Sequence, residues 1–281
     1  PHGGRSTRGR LPDRVLYAYA VTPAALNAEA APHGIDDAGV ELVAERDLAA
    51  LVSSVDVSTY APERVEQLVE EVGWLAPRAA AHDAIVTWAG DRGPVVPLPI
   101  FTLFHDESRV KQMLRERGKE LQATLERVGA GQEYGLRIFR LDEALARHVS
   151  MLSARVETLE RQAREANPGQ RYLLERKLET ERRNEMRRIA GDVAREAFDT
   201  LAPLALEAVR EPLPAKGRDD AAGVAVLNAF FLVRRGALQP FQESLTIIVR
   251  EHEPHGFRFD FTGPWPPYHF VRERASAPTA S

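Results

Sequence analysis

The sequence predicts an α+β protein of two domains, and three observations carry that expectation. Its 281 residues exceed the usual span of one compact domain. Within each half the hydrophobic period changes between two residues and about 3.6, so both halves mix strands with helices. A helix-rich middle, Asp142 to about Arg210, separates two strand-bearing regions. The expected layout is a disordered arm at 1–14, an N-terminal mixed domain with a mostly antiparallel sheet at 15–141, a C-terminal domain at 142–262 and a tail at 263–281.

The first strand is VLYAYAV, Val15 to Val21, where large residues (Val15, Tyr17, Tyr19, Val21) alternate with smaller apolar ones. Such a segment suits the centre of a sheet covered on both faces. Gly39 to Val55 reads as two further strands around a turn at Glu45 to Asp47. From Pro62, Val65, Leu68, Val72, Leu75, Ala79, His82, Val86 and Ala89 recur at three- and four-residue steps, the stripe of one amphipathic helix. Pro77 should kink it by removing the bond toward Gly73. PVVPLPIFTLF, Pro94 to Phe104, is apolar, but its prolines confine it to a sheet edge. A helix from Glu107 to Val128 and a strand from Glu133 to Leu141 complete the N-terminal domain, with its helices expected on one face of the sheet.

The C-terminal half opens with a helical hairpin broken at Asn167-Pro168-Gly169. Its second arm aligns Leu174, Leu178, Met186, Ile189, Val193, Ala197 and Leu201 on one stripe. Residues 151–200 hold eleven Lys or Arg against ten Asp or Glu, so the remaining surface is a salt-bridge-laced face rather than a basic patch. EPLPAKGRDD, from Glu211 on, reads as an exposed loop. GVAVLNAFFLV, Gly223 to Val233, is apolar on both alternating faces and should be a central strand. A helix from about Ala237 to Glu251 and a strand placing Phe257, Phe259 and Phe261 on one face follow. Strand, helix and strand at this spacing, after the hairpin, suggest a ferredoxin-like unit.

The composition excludes several functions. A hydrophobic fraction of 44%, a charged fraction of 28% and a net charge of −4 describe an ordinary globular chain with no field favouring nucleic acid. No run of about 18 apolar residues marks a membrane span and no apolar segment marks a signal peptide, so a cytoplasmic location is expected. The absence of cysteine removes disulfides, thiolate nucleophiles and cysteine-based metal sites. The first fourteen residues, with four arginines and one aspartate, are set aside as a disordered arm.

The most specific stretch is GPWPPY, Gly263 to Tyr268. Pro264, Pro266 and Pro267 fix φ and favour polyproline II geometry, which would set Trp265 and Tyr268 on one face of a stiff rod. An ordered tail of this kind docks onto its own protein or onto a partner.

TGPWPPYHFV, Thr262 to Val271, resembles the closing signature of the gas vesicle accessory proteins of the L and F type, GvpL/GvpF. VLYAYAV resembles that family's start. HDAIVTWAGDRGPVVPLPIFTLF, His82 to Phe104, is similar to its helix followed by a proline-flanked strand, and GQRYLLERKL, Gly169 to Leu178, to the start of its central helix. One segment departs: where the family usually has Arg-Phe-Gly-Thr, this chain has Pro99-Ile100-Phe101-Thr102. The resemblance implies a non-enzymatic assembly factor or minor structural component that associates with gas vesicles and binds their amphipathic shell protein and other accessory proteins. It implies no catalytic residues and no cofactor.

The rival reading is a hydrolase-like enzyme with a site scattered along the chain. There is no Gly-rich phosphate loop, GxSxG or HExxH. Pro254 between His252 and His255 argues against a helical metal-binding pair. His82, beside Asp83 but on an apolar stripe, reads as a hydrogen-bonded core histidine rather than a base.

Overall fold

The computed structural model describes residues 14–213 and 223–271. The expected arm, except Arg14, most of the loop at 211–222 and residues 272–281 of the tail lie outside the described residues. The chain divides into two units, one formed by residues up to Ala130 together with those from Pro266 on, the other by Gly131–Trp265.

In the first unit, β1 (Arg14–Pro23), β2 (Glu41–Glu45), β3 (Leu48–Asp56) and β4 (Val96–Phe104) form an antiparallel sheet in the order β2-β3-β1-β4. The proline-bearing β4 is an edge strand, where its missing N–H groups cost least. β1 is central and buried on both faces. Tyr17, Tyr19 and Ala20 join one core cluster with Ile85, Val86 and Ala89, while Ala18 and Val21 join another with Val110, Leu114, Leu121 and Leu125. The helices therefore cover both faces of the sheet, not the single face expected: α2 (Val72–Gly90) lies on one, α3 (Glu107–Glu116) and α4 (Gly118–Gly129) on the other. Val21 leaves the face of the tyrosines because both pairings of β1 shift register between Ala18 and Ala20, and a bulge re-aims every later side chain.

Two helical breaks differ from the expected ones. The long helix from Pro62 separates into α1 (Pro62–Leu68), which buries no side chain, and α2, with an unforeseen break at residues 69–71. Pro77, the sixth residue of α2, lies inside the helix without ending it. The next helix divides at Arg117-Gly118, where glycine weakens the helical preference.

In the second unit, β5 (Gly131–Arg140), β6 (Glu207–Arg210), β7 (Val224–Arg234) and β8 (Phe257–Trp265) pair antiparallel in the order β6-β7-β5-β8. β5 was expected to close the N-terminal domain, with the boundary at 141. It is instead an inner strand of this second sheet, so the division falls at Ala130/Gly131. Its register with β7 and β8 buries Tyr134, Leu136 and Ile138 against Val193, Ala197, Phe231 and Phe241. β6, too short to show a period, lay inside the expected helical segment.

The helices of this unit are α5 (Asp142–Leu152), α6 (Ala154–Glu165), α7 (Pro168–Leu201) and α8 (Leu238–His252). The expected break at Asn167 is present: its Oδ1 accepts the Gln170 N–H at 3.0 Å, and Pro168 occupies the first helical position. A second break, not foreseen, falls at Ser153, whose Oγ accepts the Val156 N–H at 3.3 Å. Replacing Asn167 by Ala should cost about 1 kcal/mol, read by urea denaturation, because one N–H of the first turn loses its side-chain acceptor. Gly256, at φ 97°, turns the chain into β8, and a Cβ there would stand 2.4 Å from the Leu145 nitrogen.

Candidate functional site

The C-terminal segment divides at its prolines. β8 stays paired with β5 as far as Trp265, which lies opposite Glu133. Pro264 and Trp265 are exposed, and the Trp265 Nε1–H donates to Thr262 Oγ1 at 3.2 Å. Beyond that point Pro266 and Pro267 are buried, the Tyr268 N–H donates to the Pro266 carbonyl at 2.7 Å, and the Phe270 N–H to the Pro267 carbonyl at 3.1 Å. Strand pairing before the prolines and a hydrogen-bonded turn after them replace the expected polyproline II rod. Trp265 ends the second unit, and Tyr268 lies in the first. The Gly263–Pro264 peptide is cis.

Residues 266–271 attach to the first unit by specific contacts. The Tyr268 hydroxyl donates to Asp83 Oδ1 at 2.9 Å, and Arg127 Nη2 donates to the Phe270 carbonyl at 2.7 Å. Phe270 is buried. Tyr268 rests on the core cluster of the tyrosine face, and Val271 on the cluster of the opposite face. The segment thus touches both cores of the sheet, which is geometrically possible where the sheet ends, at the β4 edge. A groove of about 820 Å³ runs beside it, lined by Ala79, Asp83, Leu98, Ile100, Arg117 and Val271 among others. It is mainly apolar, and Ile100 on its wall is 37% exposed.

The segment that departs from the family pattern forms part of this wall. Between Pro97 and Thr102 the pairing of β4 with β1 is interrupted, and Phe101 takes a positive φ of 64°. The Thr102 hydroxyl donates to the Pro99 carbonyl at 2.6 Å, closing the irregular turn. Trp74 and Tyr60 flank the Phe101 ring, with centroids at 5.3 and 6.2 Å.

His82 also borders the groove but is turned inward. Its Nδ1 lies 2.8 Å from the Tyr17 hydroxyl, which accepts the Phe101 N–H at 3.2 Å and so directs its own proton to the imidazole. The hydrogen then resides on Nε2, which has no hydrogen-bond partner among the described residues; the Leu98 backbone faces it without meeting hydrogen-bond geometry. Burial lowers the His82 pKa to about 4, against the opposing charge of Asp83. Burial likewise pushes the Tyr17 phenol far up. At neutral pH this is an uncharged His–Tyr pair held inside the core, an arrangement that does not present a base to solvent.

His252 and His255 take separate partners. His252 Nε2 is 3.2 Å from Glu196 Oε2, whereas the His255 ring stands edge-on to His148 at 5.8 Å. Sequence reasoning missed Asp83, Arg127 and Phe270 as the groups that hold the tail. Only PYHFV hinted at them, because a buried tyrosine needs a partner for its hydroxyl.

The model of the family described as gas vesicle synthesis protein GvpL/GvpF matches residues 15–272. The chain is 30% identical over 261 residues to gas vesicle protein L of Streptomyces sp. (strain CB03234), covering 92% of this chain and 93% of that protein. It is 22% identical over 246 residues to gas vesicle protein L of Haloferax mediterranei, covering 85% and 72%. Among solved structures it is similar to the gas vesicle protein GvpF from Anabaena sp. PCC7120, with a TM-score of 0.69 at 17% identity over 92% of this chain and 98% of that one. GvpF from Microcystis aeruginosa superposes with a TM-score of 0.65 at 15% identity, over 92% and 99%.

Proposed function

The chain belongs to the GvpL/GvpF family of gas vesicle synthesis proteins, and from that membership we propose that it is a non-enzymatic assembly factor or minor structural component that binds the amphipathic protein of the vesicle shell. The observation that carries the reading is the apolar groove between the C-terminal segment and the β4 edge. A strongly apolar segment of a shell protein finds there a surface that excludes water, framed by polar groups at Asp83 and Arg117 that fix its orientation. Other vesicle accessory proteins are further partners. The protein acts in the cytoplasm at the vesicle surface; among the described residues no helix is long and apolar enough to cross a membrane.

The tail residues take different roles in this proposal. Pro266, Pro267 and Tyr268 dock the segment, with Tyr268 in the groove wall, whereas Pro264 and Trp265, both exposed, face a partner. The second unit is proposed as a ferredoxin-like domain, supported by the β5-α-β6-β7-α8-β8 succession and the strand order β6-β7-β5-β8.

Ile100→Glu tests the groove. A carboxylate there should weaken shell-protein binding at least about tenfold, the scale of losing one well-buried apolar anchor. A thermal melt of the variant beside the titration separates lost binding from lost folding, since the side chain is partly exposed, at 37%, in the free protein. Undiminished binding in a titration against purified shell protein would refute the groove as the site.

A further inference from the structure

The first unit contains a second cavity, at the C-terminal end of α2. It measures about 510 Å³, a size that suits a small ligand, and lies between the last turn of α2 and the loop after β1. The loop is held by its own hydrogen bonds: Ala24 N–H to the Asp47 carbonyl at 2.9 Å, Leu26 N–H to the Pro23 carbonyl at 3.2 Å, and Glu29 N–H to Asn27 Oδ1 at 2.9 Å. The cavity is therefore formed before anything enters it. Pro23, Leu26, Ala89 and Pro94 make its interior apolar. Thr22, also in the lining, is buried, and its hydroxyl has no hydrogen-bond partner among the described residues, a polar group that the fold itself leaves unused.

Two opposite charges stand at the mouth. The Arg92 guanidinium lies 4.5 Å over the Trp88 ring and donates Nη1–H to the Trp88 carbonyl at 3.0 Å, so it is held in place with donors to spare. Among the described residues its hydrogen bond goes to that carbonyl and not to a carboxylate. Glu29 receives only the Asn27 amide, at 3.3 Å, and its own backbone N–H goes to the same side chain.

We propose that this cavity binds a free branched aliphatic α-amino acid, with its side chain in the apolar interior, its carboxylate on Arg92 and its ammonium on Glu29. A simple carboxylic acid would leave Glu29 without a cation. A simple amine would meet Arg92. A residue inside a peptide carries neither charge, and only the zwitterion answers both groups.

The test is calorimetric titration of the full-length protein with L-leucine, 4-methylpentanoate and 3-methylbutylamine. Leucine should bind about tenfold more tightly than either one-charge analogue, the scale of losing one charge-assisted contact. Arg92→Gln should reduce leucine to the affinity of the amine, and Glu29→Gln to that of the acid. Ala30→Trp, at an exposed position on the rim, should abolish binding while the circular dichroism melt is unchanged. The proposal is overturned by no leucine binding, by leucine binding no tighter than its analogues, or by binding that survives Ala30→Trp.

Discussion

Phe270→Ala should destabilise the protein by about 3 to 5 kcal/mol, whereas Trp265→Ala, five residues earlier, should change stability by less than about 1 kcal/mol. The two aromatics belong to one short motif, but their burial differs: Phe270 is 5% exposed and Trp265 is 45% exposed. Removing Phe270 empties a filled site and loosens the backbone that Arg127 holds at the Phe270 carbonyl. Removing Trp265 uncovers little, since β8 remains paired at Glu133 through its backbone. Tyr268→Ala should fall between them, losing the hydroxyl bond to Asp83 and part of its contact with the tyrosine-face core. Urea denaturation of the three variants, beside a shell-protein titration, separates docking from partner contact. A Phe270→Ala protein as stable as its parent would remove the segment from the fold, and full shell-protein affinity in Trp265→Ala would remove that side chain from the interface.

The second large effect is a loss of stability on mild acidification, centred on His82. In the unfolded chain this imidazole takes up its proton at pH 6.5, but in the folded protein only at about 4. Between those values the unfolded state binds a proton that the folded state refuses, so stability falls as the pH drops from 6.5 toward 4 and depends on this group no further below that. The full contribution is about 3 kcal/mol, a large part of the total for a domain of this size. Well above pH 6.5 the imidazole is neutral in both states and contributes no slope. The carboxylates of Glu45 and Glu120 have their pKa values lowered by hydrogen bonds from the Arg115 and Arg117 side chains, and that of Asp106 by the Arg109 backbone N–H, so their contributions are lost at more acid pH. Comparing the parent with His82→Gln isolates the imidazole: the difference in unfolding free energy between pH 7 and pH 4.5 should shrink in the variant. Identical slopes in the two proteins would show that His82 does not titrate on unfolding.

Both effects concern features only half legible in the sequence. The apolar stripe carrying His82 was readable, and with it the expectation of a core histidine. Its partner was not, because Tyr17 lies 65 residues away and meets it only once β1 is covered by α2. GPWPPYHFV announced an ordered segment, yet the rod geometry inferred from its prolines gave way to a strand and a turn. Local φ preferences are worth little against the hydrogen bonds that β5, Asp83 and Arg127 supply.

What the sequence alone determined was local. Alternation of apolar residues marked β1, β3, β7 and β8, proline confined β4 to an edge, and Asn167-Pro168 started α7, because each signal is written within a few neighbouring residues. The motifs from VLYAYAV to TGPWPPYHFV likewise carried the family. Tertiary structure decided what depends on partners far along the chain. It assigned β5 to the second sheet, moved Val21 to the other face through the bulge at Ala18/Ala20, set helices on both faces of the first sheet, and returned Tyr268 and Phe270 to the unit that holds residues up to Ala130. A strand's period shows that it has two faces, but the choice of neighbour is settled by the apolar area and hydrogen bonds gained when distant segments meet.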